Sequence, residues 1–183
     1  MSPTARILQA VLRVARDKRG VSAVEFALVL PLLLLIYLGG FQISQMLSAY
    51  RKMTITTRAV ADLTTQYVSM SNDDIANVLN ASAQVMAPFP TTNLSIVLSE
   101  ITTSAAGVST VAWSRPFNAT ALTTGKVVVL PVGIMQPGTS VILSQVSYLY
   151  TPTLGYQLTG SHLMSDQLYM RPRQAQSVAL TGS

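Results

Sequence analysis

The sequence contains no cysteine, a single histidine and a single tryptophan among 183 residues. Without cysteine there is no disulfide framework, zinc knuckle, iron–sulfur ligation or thiol chemistry. A lone histidine, His162, excludes most histidine-based metal sites. Charge is scarce as well, with 10% Asp, Glu, Lys and Arg against 49% hydrophobic residues. That balance excludes a disordered or coiled-coil chain and is unusual for a soluble cytoplasmic protein. The length suits one small domain and is too short for two ordinary ones. No cofactor and no metal are expected from such a composition.

The charge that is present is concentrated at one end. The formal net charge is +5. Before Gly20 stand Arg6, Arg13, Arg16, Lys18 and Arg19 against Asp17 alone. From Gly20 onward seven basic residues face six acidic ones. Nucleic-acid binding needs clustered cations, and no cluster remains once the leader is set aside. No nucleic-acid partner is expected.

The 25 residues between Glu25 and Arg51 carry no formal charge, and Phe26–Phe41 reads FALVLPLLLLIYLGGF. A membrane-spanning helix needs about 20 mostly apolar residues. Val21–Ser44 meets that requirement, and Leu32–Leu35 leaves no polar face for a buried core helix to turn outward. The basic excess before the span favours a cytoplasmic N-terminus, with the residues beyond about 50 across the membrane. A secretory signal peptide and a plain signal anchor share this pattern, and Leu47-Ser48-Ala49 loosely resembles a cleavage site. Neither accounts for the junction Lys18-Arg19-Gly20-Val21-Ser22-Ala23-Val24-Glu25-Phe26. A glutamate at the edge of a spanning helix is costly at depth and marks function there, although in the headgroup region it costs little.

These junction residues resemble the class III signal of type IV pilins and pseudopilins. The resemblance implies that a prepilin peptidase cuts between Gly20 and Val21, leaving Glu25 fifth and Phe26 sixth in the mature chain. In that family the glutamate neutralises the new amino terminus of an adjacent subunit, as opposite charges in low dielectric favour pairing. More narrowly, Glu25-Phe26-Ala27-Leu28 with Pro31-Leu32-Leu33-Leu34-Leu35 is similar to the TadE/TadF-like pseudopilins of tight-adherence (Tad, Flp) pilus systems. Val146–Pro152 and Arg171-Pro172-Arg173 also look like that group. Major Flp pilins are little more than the helix, whereas this chain has a further domain.

The helical pattern continues past the apolar run. Ile43, Met46, Tyr50, Met53, Thr57, Val60, Thr64 and Tyr67 recur at spacings of three and four, the stripe of one helix face. One helix is therefore expected from Ser22 to Val68, about 70 Å at 1.5 Å per residue, with a tolerated break at Pro31. The stripe serves core packing, or a subunit seam, or each along different lengths. Ser71-Asn72-Asp73-Asp74 opens a second helix by capping, continued by Ile75, Val78, Leu79, Ser82 and Met86 and stopped at Pro88-Phe89-Pro90. Capping also accounts for Asp73 and Asp74 better than a metal pair does.

Beyond Pro90 the texture of Thr, Ser, Val and Tyr with glycine punctuation predicts strands at Leu94–Ile101, Val108–Arg115, Val141–Tyr150 and Tyr169–Leu180. Ile142, Val146, Tyr148 and Tyr150 share one face of the third, opposite Leu143 and Leu149. Lys126–Pro131 reads as a short strand or a loop. The expected fold class is α+β: a long transmembrane helix running into a domain with a second helix and an antiparallel sheet, like a pilin head. The expected organisation is a basic leader over 1–20, the helix over 21–68 and a periplasmic head over 69–183.

Trp113 reads as a core anchor or an exposed contact, and His162 as a loop residue. Arg171 and Arg173 read as an anion site or as a strand edge protected by Pro172. Asn80, Asn93 and Asn118 head glycosylation-like triplets that are common by chance. An anchored hydrolase would have only His162, or Lys126 without SxxK-like spacing, as its base; no enzyme activity is expected. The resemblance implies a structural pseudopilin or minor pilin, held by one span in a bacterial inner membrane and later in the extracellular pilus. It would act at the initiating complex or tip. Implied partners are the prepilin peptidase, other pilins and pseudopilins, the inner-membrane assembly platform and membrane lipid. The competing reading is an anchored adhesin or binding module that keeps its leader.

Overall fold

The computed structural model describes residues 19–153 and 160–182; the basic leader over residues 1–18 lies outside the described residues. Helix α1 occupies Arg19–Thr65, with Pro31 inside it. An apolar stretch such as 26–41 forms a helix readily, because a helix satisfies its backbone groups within the segment, save the one rung that Pro31 opens. The chain divides into two compact units, 1–44 and 45–183, so the first part of α1 belongs to one unit and its continuation to the head.

Within the head unit, α1 buries Ala49, Met53, Thr56, Thr57, Val60, Ala61, Thr64 and Thr65. The expected stripe thus serves the core from Met53 to Thr64. Ile43, Met46, Tyr50 and Tyr67 are exposed instead. The buried threonines fit an apolar interface because their hydroxyls donate back along the helix. Thr56 bonds the Lys52 carbonyl at 2.9 Å, Thr57 that of Met53 at 3.0 Å and Thr64 that of Val60 at 2.7 Å.

The helix ends at Thr65, earlier than the expected Val68, and a last turn closes through Gln66 and Tyr67 amides onto the Leu63 and Thr64 carbonyls. The cause is tertiary: Ser69–Ser71 forms a short strand, β1, paired in parallel with β6, Ala179–Thr181. Helix α2, Asn72–Ala83, follows at once. Ser71 caps it in a reciprocal box, accepting from the Asp74 amide while the Asp74 carboxylate accepts from the Ser71 amide and hydroxyl. A 3₁₀ turn, Gln84–Met86, leads into the Pro88-Phe89-Pro90 stop.

The main sheet contains β2 (Leu94–Thr103), β3 (Ser109–Phe117), β4 (Ser140–Tyr150) and β5 (His162–Met170). Their order is β3-β2-β4-β5 and every pairing is antiparallel. This is an α+β fold. Period-two alternation sends Leu94, Ile96 and Leu98 of β2 and Ile142, Val146, Tyr148 and Tyr150 of β4 into one core, with Met53, Val60, Ile75, Leu79 and Trp113. Ile101, Val141 and Leu143 form a smaller cluster with Leu130. The expected facing of β4 is borne out, with Leu149 turned outward and exposed.

The fourth expected strand, Tyr169–Leu180, is wrong in extent. Residues 162–170 and 179–181 are the strands, and 171–178 between them is irregular. Pro172 has no amide for a ladder and ends β5. His162 consequently opens β5 and does not lie in a loop. Lys126–Pro131 is loop, pinned by one isolated pairing of Val127 with Thr110.

Candidate functional site

The residues that the sequence singles out as candidates lie at the start of α1. Gly20, Val21, Glu25, Phe26, Ala27, Leu28, Pro31 and Leu32–Leu35 all lie within the helix, and each is exposed. The helix runs through the Gly20–Val21 bond. Among the described residues a Cβ at position 20 would meet no atom within 4 Å. Glu25 shares a helix stripe with Val21, Leu28, Leu32 and Leu35, at spacings of three and four. Among the described residues it makes no ion pair. Pro31 cannot donate to the Ala27 carbonyl, which opens one rung of the helix. The segment is apolar and long enough to cross a membrane, and its most apolar window is exposed among the described residues.

A second constellation escaped the sequence reading. Glu100 is 2% exposed, on the core face of β2 that alternation from Leu94, Ile96 and Leu98 assigns to it. Its carboxylate accepts from the Val178 amide at 2.8 Å, and the Trp113 indole N–H donates to the Val178 carbonyl at 2.9 Å. Both backbone groups of one buried valine are thereby satisfied by side chains of the sheet. Burial pushes the Glu100 carboxyl above its ordinary value; the Val178 amide, and then Ser140 and Trp113 beside it, oppose that rise. Lone acids in strands usually face water, so nothing but the alternation could have flagged this one.

The same segment, 171–182, is fastened along its length. The Arg173 amide bonds the Thr65 carbonyl at 2.9 Å, and its guanidinium pairs with Asp62. Ser140 donates to the Gln176 carbonyl, the Ala179 amide bonds the Val68 carbonyl, and Asn72 donates to Gly182. Arg173 is thus a structural ion pair at the end of α1, while Arg171 is exposed. Trp113 is a core residue, as its buried indole requires a partner.

The remaining candidates are structural or scattered. Asp73 and Asp74 sit in the first turn of α2, where Ser71 hydrogen bonds hold the Asp74 carboxyl below its ordinary value. Asn118, at φ 47°, ties its side chain to the Thr91 and Leu94 carbonyls. Among the described residues no group of three or more His, Cys, Asp or Glu converges.

Residues 20–62 match the family described as TadE-like protein. No curated protein and no solved structure matches the chain. The match begins at Gly20, leaving Lys18-Arg19 outside, takes in Glu25-Phe26 and the Pro31-Leu32-Leu33 run, and stops short of Val146–Pro152 and Arg171–Arg173. Over Gly20–Asp62, about a quarter of its length, the chain is therefore similar to the TadE-like family.

Proposed function

We propose that this chain is a structural pseudopilin or minor pilin of a Tad-type pilus, assembled through its apolar N-terminal helix. The observation that carries the reading is the junction itself. A glycine with open space around it among the described residues precedes a lone glutamate on an exposed apolar helix, inside the segment matched by the TadE-like family. A prepilin peptidase would remove residues 1–20, because glycine lets a protease approach the backbone closely. Residues 21–68 would then be the anchor and assembly segment, and 69–183 the periplasmic head. Glu25 would meet the new amino terminus of a neighbouring subunit, with Phe26 beside it and Leu28–Leu35 packing between helices. The cytoplasmic side takes the basic leader, and the subunit joins the initiating complex or tip through the inner-membrane platform.

The direct test is the mass and N-terminal sequence of the protein recovered from host membranes. A chain that starts at Val21 and retains its apolar helix supports the proposal. A chain starting at Met1 replaces it with an anchored binding module, and one starting near Tyr50 with a secreted domain. Glu25→Ala should leave cleavage intact and impair incorporation into pili; normal piliation would remove the role given to Glu25.

A further inference from the structure

The loop between β3 and β4 presents an apolar surface that the core does not use. Val128 and Ile134 pack inward beside Leu130 on Ile101, Val141 and Leu143. Between and beside them Val127 is 61% exposed, Val129 90% and, in the turn that follows, Val132 102%, and Met135 is exposed too. Burying alternate residues of an extended stretch forces their neighbours outward. The stretch is also fixed. The Val111 amide bonds the Lys126 carbonyl at 3.0 Å, and the Val128 amide bonds that of Ser109 at 2.9 Å, around the Thr110–Val127 pairing. At the far end the Gly138 amide bonds the Thr103 carbonyl at 2.9 Å, and the Thr103 amide that of Thr139 at 2.8 Å. These valines are held out by a braced loop.

The charges around the loop indicate what covers it. From Ile101 to Ser165 the sequence contains no Asp or Glu. Lys126 opens the loop, and Arg171 lines a shallow depression with Gly138, Thr139 and Ser140 at its base. Both side chains are exposed. Glu100, the carboxylate of this end of the sheet, is buried against Val178. Apolar tips in an acid-free segment, with Lys126 next to Val127 and Arg171 beside Gly138 and Thr139 at the other end, match a lipid interface. The valines enter the acyl boundary while the ammonium and guanidinium meet phosphates. We propose that the 126–135 loop, together with Arg171, docks on the surface of an anionic lipid bilayer. This contact is separate from the N-terminal helix and does not depend on the pilin-like reading.

Because the sequence lacks cysteine, V132C gives a single attachment point for an environment-sensitive fluorophore, and N80C on the exposed face of α2 gives its control. The full chain, held through α1 in phosphatidylcholine nanodiscs, is mixed with vesicles containing phosphatidylglycerol. The expected result is a blue shift at position 132 and none at position 80. V129D/V132D and K126E/R171E should each weaken vesicle capture about tenfold or more, with Trp113 emission unchanged. No shift, or an equal shift with pure phosphatidylcholine vesicles, overturns the proposal. A shift that grows with protein concentration in the absence of vesicles also overturns it and assigns the loop to a second copy of the chain.

Discussion

Replacing Glu100 should separate the worth of its hydrogen bond from the cost of its charge. Glu100→Ala leaves the Val178 amide, now at 2.8 Å from the carboxylate, without an acceptor in a fully buried position. An orphaned buried donor costs about 1–3 kcal/mol, so about 2 kcal/mol is expected. For a unit of this size that lowers the melting temperature by roughly 5–10 °C. Glu100→Gln keeps an acceptor oxygen and removes the charge, and should cost less than half as much at neutral pH. The pH dependence has a definite sign. The carboxyl titrates near 4.5 when unfolded and higher when folded, so the folded state binds more protons between those values. Its contribution is complete below about 4.5 and is lost as pH rises through the raised value. Wild type should therefore compare best with E100Q near pH 4 and worst near pH 8. Thermal unfolding of the full chain in mild detergent, followed by the emission of the single tryptophan, reads all three proteins. Parallel pH profiles for wild type and E100Q, or an E100A penalty below about 0.5 kcal/mol, would refute the reasoning.

Ser71→Ala should cost about 1 kcal/mol by removing the cap of α2. It should also weaken the acid-side loss of stability that arises as pH falls through the lowered Asp74 value, readable from melts between neutral and acid pH. Leu98→Ala opens a cavity at a fully buried position and should cost about 3 kcal/mol, measured by urea unfolding. Arg173→Ala should cost less than about 1 kcal/mol, because its partner Asp62 and the guanidinium are 36% and 57% exposed. A double-mutant cycle with Asp62→Ala that returns a coupling well above this bound would show that the pair is stronger than its exposure allows.

The two helices were legible because their signals are local. An unbroken apolar run specifies α1, and Ser71 with Asp74 spells a cap three residues apart. The alternation of Leu94, Ile96 and Leu98, and of Val146, Tyr148 and Tyr150, likewise places β2 and β4. Strand β5 was missed because it is an edge strand whose centre, Ser165-Asp166-Gln167, is polar and whose only buried residue is Met164. The β1–β6 pair was invisible because three residues carry no periodicity and their pairing is set by the rest of the fold. The candidate assembly residues were readable only from the junction motif, since among the described residues Glu25 makes no ion pair and a Cβ at Gly20 would meet no atom within 4 Å. Glu100 went unnoticed although the alternation that fixed β2 extends to it.

The parallel pair of β1 with β6 also imposes an order on synthesis. Ser69 is made 110 residues before its partner Ala179 (179 − 69). Until residues 171–182 emerge, the Thr65 and Val68 carbonyls, the Trp113 indole and Glu100 all lack the partners they hold in the finished head. At ribosomal rates of about 5–20 residues per second, that leaves several seconds in which α1 is complete but its end is loose. Met70 and the seat of Val178, both fully buried at the end, are open throughout that interval. The head is consequently closed by residues made long after the elements they fasten, and the nascent chain passes through a period in which its apolar interior is available to chaperones and to other chains.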